Sequence, residues 1–158
     1  MFTRILVAVD DSAPATRAVE VAIEFARQLA GARLVLAHVV DTALGFVPEL
    51  AIWDARILAE LRSEGEAILA AAAAHVPPDV PCECKLVEGD PAEMICSTAR
   101  EWQADLIVIG TDSRGRLAHF LLGSTADSVI RRAACPVISV RATVPTEDAR
   151  PKFAATAS

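Results

Sequence analysis

Residues 5–40 read ILVAVDDSAPATRAVEVAIEFARQLAGARLVLAHVV, two short apolar runs with a longer mixed segment between them. The runs Ile5 to Val9 and Leu34 to Val40 are rich in branched aliphatic residues, which predicts two buried strands. Between them, apolar residues recur at helical offsets from about Pro14 to Leu29, and Ser12 is placed to cap the helix. The stretch therefore predicts a strand, a helix and a second strand parallel to the first.

The same alternation continues through the rest of the chain. The further predicted elements are a helix at about 51–75, a strand at 82–87, a helix at about 91–102, a strand at 106–109, a helix at about 126–133 and a strand at 136–140. Five strands separated by helices predict an α/β domain, an open parallel sheet with helices on both faces. The strand at 82–87 is the more polar one, as expected near a sheet edge. From Ala142 the periodicity ends, so we expect the domain at 1–141 and a flexible tail at 142–158.

Composition argues against several classes of protein. The chain has 158 residues, enough for one ordinary domain. Its formal net charge of -6 argues against a nucleic-acid partner, because phosphate neutralisation needs a basic surface. The longest uninterrupted apolar run, Ala67 to Ala74, is far shorter than the roughly 20 residues that span a bilayer. The first residues, MFTRILVAVDD, do not resemble a secretory signal. We therefore expect a cytoplasmic protein with no membrane partner.

The 4 cysteines are too sparse for a disulfide scaffold. Cys82 and Cys84 form a C-x-C pair, whereas Cys96 and Cys135 stand alone. A zinc site needs ligand pairs at C-x2-C or H-x3-H spacing, and the sequence has none. We expect reduced, packed thiols in preference to a metal or redox role, and in the same way a hydrogen-bonded core or edge role for His38 in preference to a ligand role.

Ligands of open parallel sheets bind beyond the carboxyl ends of the strands, where the strand order reverses. The loops after the first and fourth strands are therefore the candidate sites. The second of these reads GTDSRGRLAHFLLGST, from Gly110 to Thr125. Glycine lets the backbone approach a phosphate, and the N–H groups at a helix N-terminus face an anion. Taken alone, Gly123-Ser124 is better explained as a plain helix start with a serine cap.

Five further segments accompany this loop, and together they form a specific set. They are ILVAVDDS at 5–12, LAHVVD at 36–41, EGDP at 88–91, ADLIVIG at 104–110 and CPVISV at 135–140. With these segments, the chain resembles the universal stress protein family over nearly its whole length, to about Val140. The nucleotide-binding branch of that family carries G-x2-G-x9-G-[ST] after the fourth strand. Gly110 and Gly123-Ser124 match this pattern at the required separation, whereas the second glycine is Ser113 here.

The resemblance implies a Rossmann-like five-stranded parallel sheet in the order 3-2-1-4-5 and a site for ATP with Mg²⁺. The residues that it implies are Ala8, Val9 and Asp10 at the adenosine end, Val39 beside the adenine, Ile109, Gly110, Asp112 and Ser113 along the ribose and phosphates, Gly115 as a substitute for the missing glycine, and Gly123, Ser124 and Thr125 around the phosphates. Asp10 has an alternative role as a cap for the first helix. Asp112 would repel a triphosphate unless it points away or meets Mg²⁺.

The resemblance implies an ATP-binding sensor or regulator of the stress response, in which slow ATP hydrolysis is conceivable but turnover is not the main role. The alternative within the family is a nucleotide-free dimeric scaffold, and the broken glycine pattern at Ser113 favours it. In either case the family implies a homodimer, formed through the last strand at Val137, Ile138 and Val140, and a regulatory protein partner.

The sequence lacks residues that three enzymatic or signalling alternatives require. The segment ILVAVDDS also resembles the opening of a response-regulator receiver, which needs a lysine near the end of its fifth strand. Lys85 and Lys152 are the chain's lysines, and neither lies there. An ATP-pyrophosphatase would require SGGxDS and an adenylyltransferase an HxGH-type pair, and both motifs are missing from the sequence.

Overall fold

The computed structural model describes residues 2–42, 55–111 and 125–142. Within these ranges strands and helices alternate along the chain, as predicted. The elements are β1 (Arg4–Ala8), α1 (Ala13–Gln28), β2 (Arg33–Asp41), α2 (Ala55–Ala73), β3 (Cys82–Gly89), α3 (Pro91–Glu101), β4 (Leu106–Thr111), α4 (Thr125–Arg132) and β5 (Val137–Arg141). The expected first turn of α2 at 51–54 and the expected tail from residue 143 lie outside the described residues.

All five strands are parallel, and their order in the sheet is β3-β2-β1-β4-β5. The predicted fold class and strand order are therefore confirmed. The more polar strand β3 lies at one edge, also as predicted, and β5 lies at the other. The strand order reverses between β1 and β4, because the chain proceeds from β1 towards β2 on one side and returns to β4 on the other.

Both faces of the sheet are covered. Along β1, Ile5 and Val7 join one apolar cluster, with residues of α1 and α2. The alternate residues Leu6 and Ala8 join a second cluster, with residues of α3 and α4. Because successive side chains point to opposite faces, burial on both sides explains why the central strands read as continuous apolar runs.

Local capping fixes where α1 and α3 begin. The Ser12 side chain accepts a hydrogen bond from the Ala15 N–H at 3.3 Å, which makes Ser12 the N-cap of α1 as predicted. Asp90 does the same for α3 through the Glu93 N–H at 2.8 Å. Both helices therefore start within a few residues of the carboxyl ends of β1 and β3, on the side of the sheet where the candidate site lies.

At the amino ends of the strands, the side chain of Asp105 joins β1 to β4, a contact that the sequence did not predict. Asp105 accepts hydrogen bonds from the Thr3 N–H at 2.9 Å and from the Arg4 N–H at 3.0 Å. The Asp105 N–H donates in return to the Arg4 carbonyl at 2.9 Å. This clamp fixes the register of β1 against β4, and therefore fixes which residues of the two strands meet at the site.

Candidate functional site at the carboxyl ends of β1 and β4

The two loops expected to form the site leave the sheet side by side. The pairing of β1 with β4 runs to Ala8 opposite Ile109, and both residues are buried. Val9 and Asp10 continue from one strand, and Gly110 continues from the other. The structure therefore brings together the predicted residues at the ends of β1 and β4.

Gly110 packs directly against the first turn of α1. A Cβ atom added at residue 110 would lie 2.5 Å from the carbonyl carbon of Pro14 and 2.6 Å from the backbone nitrogen of Ala15. Real Cβ atoms do not approach backbone this closely, so only glycine fits without movement of the helix. Gly110 is therefore required by helix packing, whatever its relation to a phosphate.

Asp10 stabilises the start of α1 indirectly. Its Oδ1 atom accepts hydrogen bonds from the Ser12 N–H at 2.9 Å and from the Ser12 hydroxyl. Ser12, held in this way, caps the helix through the Ala15 N–H. The cap is therefore Ser12, and Asp10 orients it. Asp10 is exposed, and among the described residues both of its hydrogen bonds use Oδ1, so Oδ2 has acceptor capacity for a ligand.

Both backbone polar groups of Val9, its N–H and its carbonyl, form hydrogen bonds with residues of β2. The Val9 N–H donates to the Ala37 carbonyl at 2.9 Å, and the Val9 carbonyl accepts from Nδ1 of His38 at 2.8 Å. The expectation that His38 is a hydrogen-bonded core or edge residue is thus confirmed. Its partner at the end of β1 was not foreseen from the sequence. Val39, the next residue of β2, is half-buried.

Of the residues expected along the phosphates, the structure describes Ile109 and Gly110 in β4 and, at the start of α4, Thr125. This residue is the first of α4 and is exposed. The other residues expected around the phosphates, namely Asp112, Ser113, Gly115, Gly123 and Ser124, lie outside the described residues. Thr111, which was not predicted, follows Gly110 in β4, and its hydroxyl donates to the Val140 carbonyl of β5 at 3.4 Å.

The charges at this edge suit a ligand with a polar, uncharged end. Asp10 and Asp11 are both exposed just before α1, where the partial positive charge of the helix N-terminus stabilises carboxylates. Such acceptors favour ribose hydroxyls or an amine and repel a phosphate placed beside them. In the described ranges no group of three or more His, Cys, Asp or Glu side chains is arranged to hold a metal ion.

The four cysteines are free thiols. Burial raises the pKa of each of them, and the pKa of Cys82 rises to about 11. Protonated thiols are poor nucleophiles and poor metal ligands, so their chemistry fits a reduced state. The expectation of packed thiols holds for Cys96, which is buried, and is wrong for Cys84, which is exposed because β3 is an edge strand.

Within the described part of the chain, none of the helices has the length and hydrophobicity needed to cross a bilayer.

Comparison with known proteins identifies the family. The family model described as Universal stress protein family matches residues 1–141. A Thermus aquaticus universal stress protein, encoded in the 3′ region of the QAH/OAS sulfhydrylase, is 37% identical over 141 residues, covering 89% of this chain and 100% of the relative.

Solved structures agree with this match. A universal stress protein in complex with cAMP is 26% identical at a TM-score of 0.66, covering 90% of this chain and 99% of that one. The universal stress protein from Archaeoglobus fulgidus in complex with dAMP is 28% identical at a TM-score of 0.63, covering 88% and 98%. The chain therefore belongs to the universal stress protein family.

Proposed function

We propose that this chain binds an adenine nucleotide, ATP with Mg²⁺, at the carboxyl ends of β1 and β4, and acts as a sensor or regulator in the stress response. The observation that carries the proposal is the packing of Gly110 on the first turn of α1, whose cap Asp10 orients, at the point where the strand order reverses. The cAMP and dAMP complexes of structural relatives support an adenine nucleotide, because both ligands contain adenine and a phosphorylated sugar.

The chemistry of the described residues fits the adenosine end of such a ligand. Asp10 supplies a carboxylate oxygen to a ribose hydroxyl or to the adenine amine. Val39, half-buried beside the end of β1, supplies an apolar surface for the base. We propose that the phosphates are bound by Gly123, Ser124 and Thr125, as the family pattern implies.

We propose binding without turnover as the main activity. Asp10 makes its hydrogen bonds to Ser12 and orients a helix cap, and His38 makes its Nδ1 hydrogen bond to the Val9 carbonyl. A general base must lie within hydrogen-bond reach of the proton that it removes. The Ser12 hydroxyl that donates to Asp10 serves as the cap of α1, and His38 holds a backbone carbonyl, so we propose that neither Asp10 nor His38 acts as a general base. ATP bound and unbound would then be the two signalling states, presented to a regulatory protein through the loop after β4.

Isothermal titration calorimetry tests this function. MgATP, ADP, dAMP and cAMP are titrated into the purified chain, with MgGTP as the control for the base. We expect adenine nucleotides to bind and MgGTP to bind at least about 10-fold more weakly. The Asp10 carboxylate can accept a hydrogen bond from the exocyclic amine of adenine, whereas guanine has a carbonyl oxygen at that position. Binding of no nucleotide at saturating concentration contradicts the proposal.

Two substitutions in the glycine pattern address the phosphate end. Gly123→Val places a branched side chain where the family pattern requires glycine, and should abolish MgATP binding. Ser113→Gly restores the family's second glycine and should strengthen MgATP binding. Circular dichroism of both variants checks that the fold is kept. MgATP affinity that stays at the wild-type value in Gly123→Val would exclude this loop as the phosphate site.

The second candidate function is a nucleotide-free scaffold, and one contact favours it. Because Gly110 is required by its packing on Pro14, its presence does not by itself indicate a nucleotide. Ser113 in place of glycine points the same way. The titrations above separate the two candidates, since a scaffold shows no binding with any nucleotide.

In both cases we propose a cytoplasmic homodimer that pairs through β5. This strand is an edge strand, with Val137 and Ile138 half-buried and Val140 buried. An open edge presents unpaired backbone groups that a second copy can satisfy. The reduced state of the four thiols supports the cytoplasm as the compartment.

A further inference from the structure

The imidazole of His38 stands where a hydrogen bond between two strands would otherwise form. The pairing of β1 with β2 stops at Ala8 opposite Ala37. The Val9 N–H still donates to the Ala37 carbonyl, at 2.9 Å. In a regular parallel ladder the next bond would run from the Val39 N–H to the Val9 carbonyl. That carbonyl accepts from His38 Nδ1 at 2.8 Å instead, so a side chain of β2 replaces the backbone donor.

A glycine in α2 makes room for the ring. Gly65 is buried in the interior of the helix, and a Cβ atom added there would lie 2.8 Å from Cδ2 of His38 and 2.6 Å from Cδ1 of Leu86. A glycine inside a helix costs about 1 kcal/mol relative to alanine. A side chain at residue 65 would press on both the His38 ring and Leu86, so the packing of these two side chains accounts for the glycine.

We propose that His38 is a positioning residue of the nucleotide site. By occupying the Val9 carbonyl, it prevents the ends of β1 and β2 from pairing further and keeps Val9 and Val39 apart. The separated ends form the space that receives the base, next to Asp10. The identity of the ligand rests on the proposed function, whereas the role of His38 in ending the strand pairing does not.

Substitutions of His38 have distinct expected effects. In His38→Leu the Val9 carbonyl loses its donor, and a carbonyl without a partner in this half-buried place is unfavourable. The donor next in register is the Val39 N–H, so the ladder should extend by one bond and close the space. In His38→Asn the side-chain amide presents an N–H close to the position of Nδ1 and should keep the bond to Val9.

His75 provides a matched control. Its Nδ1 atom also lies against a backbone carbonyl, that of Ala71, at 2.9 Å, but at the exposed end of α2. His75→Leu therefore removes a histidine-to-carbonyl bond of the same kind without changing the ends of β1 and β2.

The strand pairing itself is measured by NMR, as a scalar coupling through the hydrogen bond between the Val39 nitrogen and the Val9 carbonyl carbon. We expect no coupling in the wild type, in His38→Asn and in His75→Leu, and a coupling in His38→Leu. A coupling in the wild type, or its absence in a folded His38→Leu, would overturn the assignment. This readout requires no nucleotide.

MgATP titration of the same proteins measures how the strand pairing affects nucleotide affinity. We expect His38→Leu to bind MgATP at least about 10-fold more weakly than the wild type. The MgATP affinity of His38→Asn should lie within about 3-fold of the wild-type value, and that of His75→Leu should match it. Wild-type affinity in a folded His38→Leu overturns the positioning role. A wild type that binds no nucleotide contradicts the proposed function. In that case the NMR coupling between Val39 and Val9 still tests whether His38 ends the pairing of β1 with β2.

Gly65→Ala covers the case in which His38→Leu does not fold. The added Cβ atom presses on the His38 ring and on Leu86, while the helix gains propensity. We expect weakened MgATP binding here as well, by at least about 3-fold. Unchanged MgATP binding in Gly65→Ala would count against the positioning role.

Discussion

Gly110, at the end of β4, lies so close to Pro14 in α1 that a Cβ atom at residue 110 would be 2.5 Å from the Pro14 carbonyl carbon. The contact is with backbone atoms, which cannot rotate out of the way as a side chain can. It fixes the position of the first turn of α1 against the end of β4.

Gly110→Ala should therefore destabilise the fold, by about 1–3 kcal/mol, because the helix must shift to admit the methyl group. Urea unfolding followed by circular dichroism measures this. Gly31→Asn is the control, since Gly31 has a φ of 77° that asparagine tolerates, and no atom lies within 4 Å of an added Cβ. An unchanged urea midpoint in Gly110→Ala would refute the packing role.

Asp105→Ala should destabilise the fold by roughly 2–3 kcal/mol, because the N–H groups of Thr3 and Arg4 lose a charged acceptor. Asp79→Ala is the control, since Asp79 forms an ion pair with Arg27 on the surface, and such pairs contribute little. Thermal unfolding of both variants makes the comparison. Equal losses of melting temperature would show that Asp105 acts as an ordinary surface carboxylate.

Cys82 should react slowly with iodoacetamide. Burial raises its pKa to about 11 from an ordinary value of 9.0, so the thiolate at neutral pH is about 100-fold scarcer than for an unburied thiol. Mass spectrometry of peptides, after brief alkylation of folded and urea-unfolded protein at pH 7.5, gives the ratio of rates. Equal alkylation rates for Cys82 in the two states would contradict the raised pKa.

The same shift of the Cys82 pKa sets a dependence of stability on pH. Because the folded pKa is the higher one, the unfolded chain ionises first, so this contribution to stability is complete below about pH 9 and is lost as the pH rises through about 11. The chain has no tyrosine to titrate in this range. Cys82→Ser should therefore lose less stability than the wild type between pH 8 and pH 10.5, and identical losses would argue against burial of the Cys82 thiol.

The proposed dimer has a test that leaves the monomer intact. The Ile107 N–H donates to the Pro136 carbonyl, so by alternation the N–H of Ser139 points away from β4, towards the open edge of β5. Ser139→Pro should therefore remove an edge donor and give a monomer, while Ser139→Ala remains a dimer. Size-exclusion chromatography with light scattering distinguishes them, and a Ser139→Pro variant that stays dimeric would exclude pairing through β5.

The parts of the fold that depend on local sequence were predicted well. The apolar run Ile5 to Val9 is buried on both faces, and such a run indicates a central parallel strand without further information. Ser12 caps α1 through the N–H three residues away, so its role is readable from the sequence.

Contacts between distant parts of the chain were not predictable in this way. Asp105 bonds to residues about a hundred positions earlier, and the motif ADLIVIG does not reveal which backbone groups it meets. His38 reaches Val9 only because of the register of β1 against β2. Gly110 fits a phosphate-binding pattern by spacing, but spacing does not show that its missing side chain makes room for α1.

The proposal that this site holds an adenine nucleotide is tested by mass spectrometry of the small molecules released from the purified, then denatured, protein. We predict release of ATP or ADP in an amount approaching one molecule per chain, and loss of that molecule in Gly123→Val. A wild-type protein that releases no nucleotide, and retains none after incubation with saturating MgATP and rapid desalting, would contradict the claim.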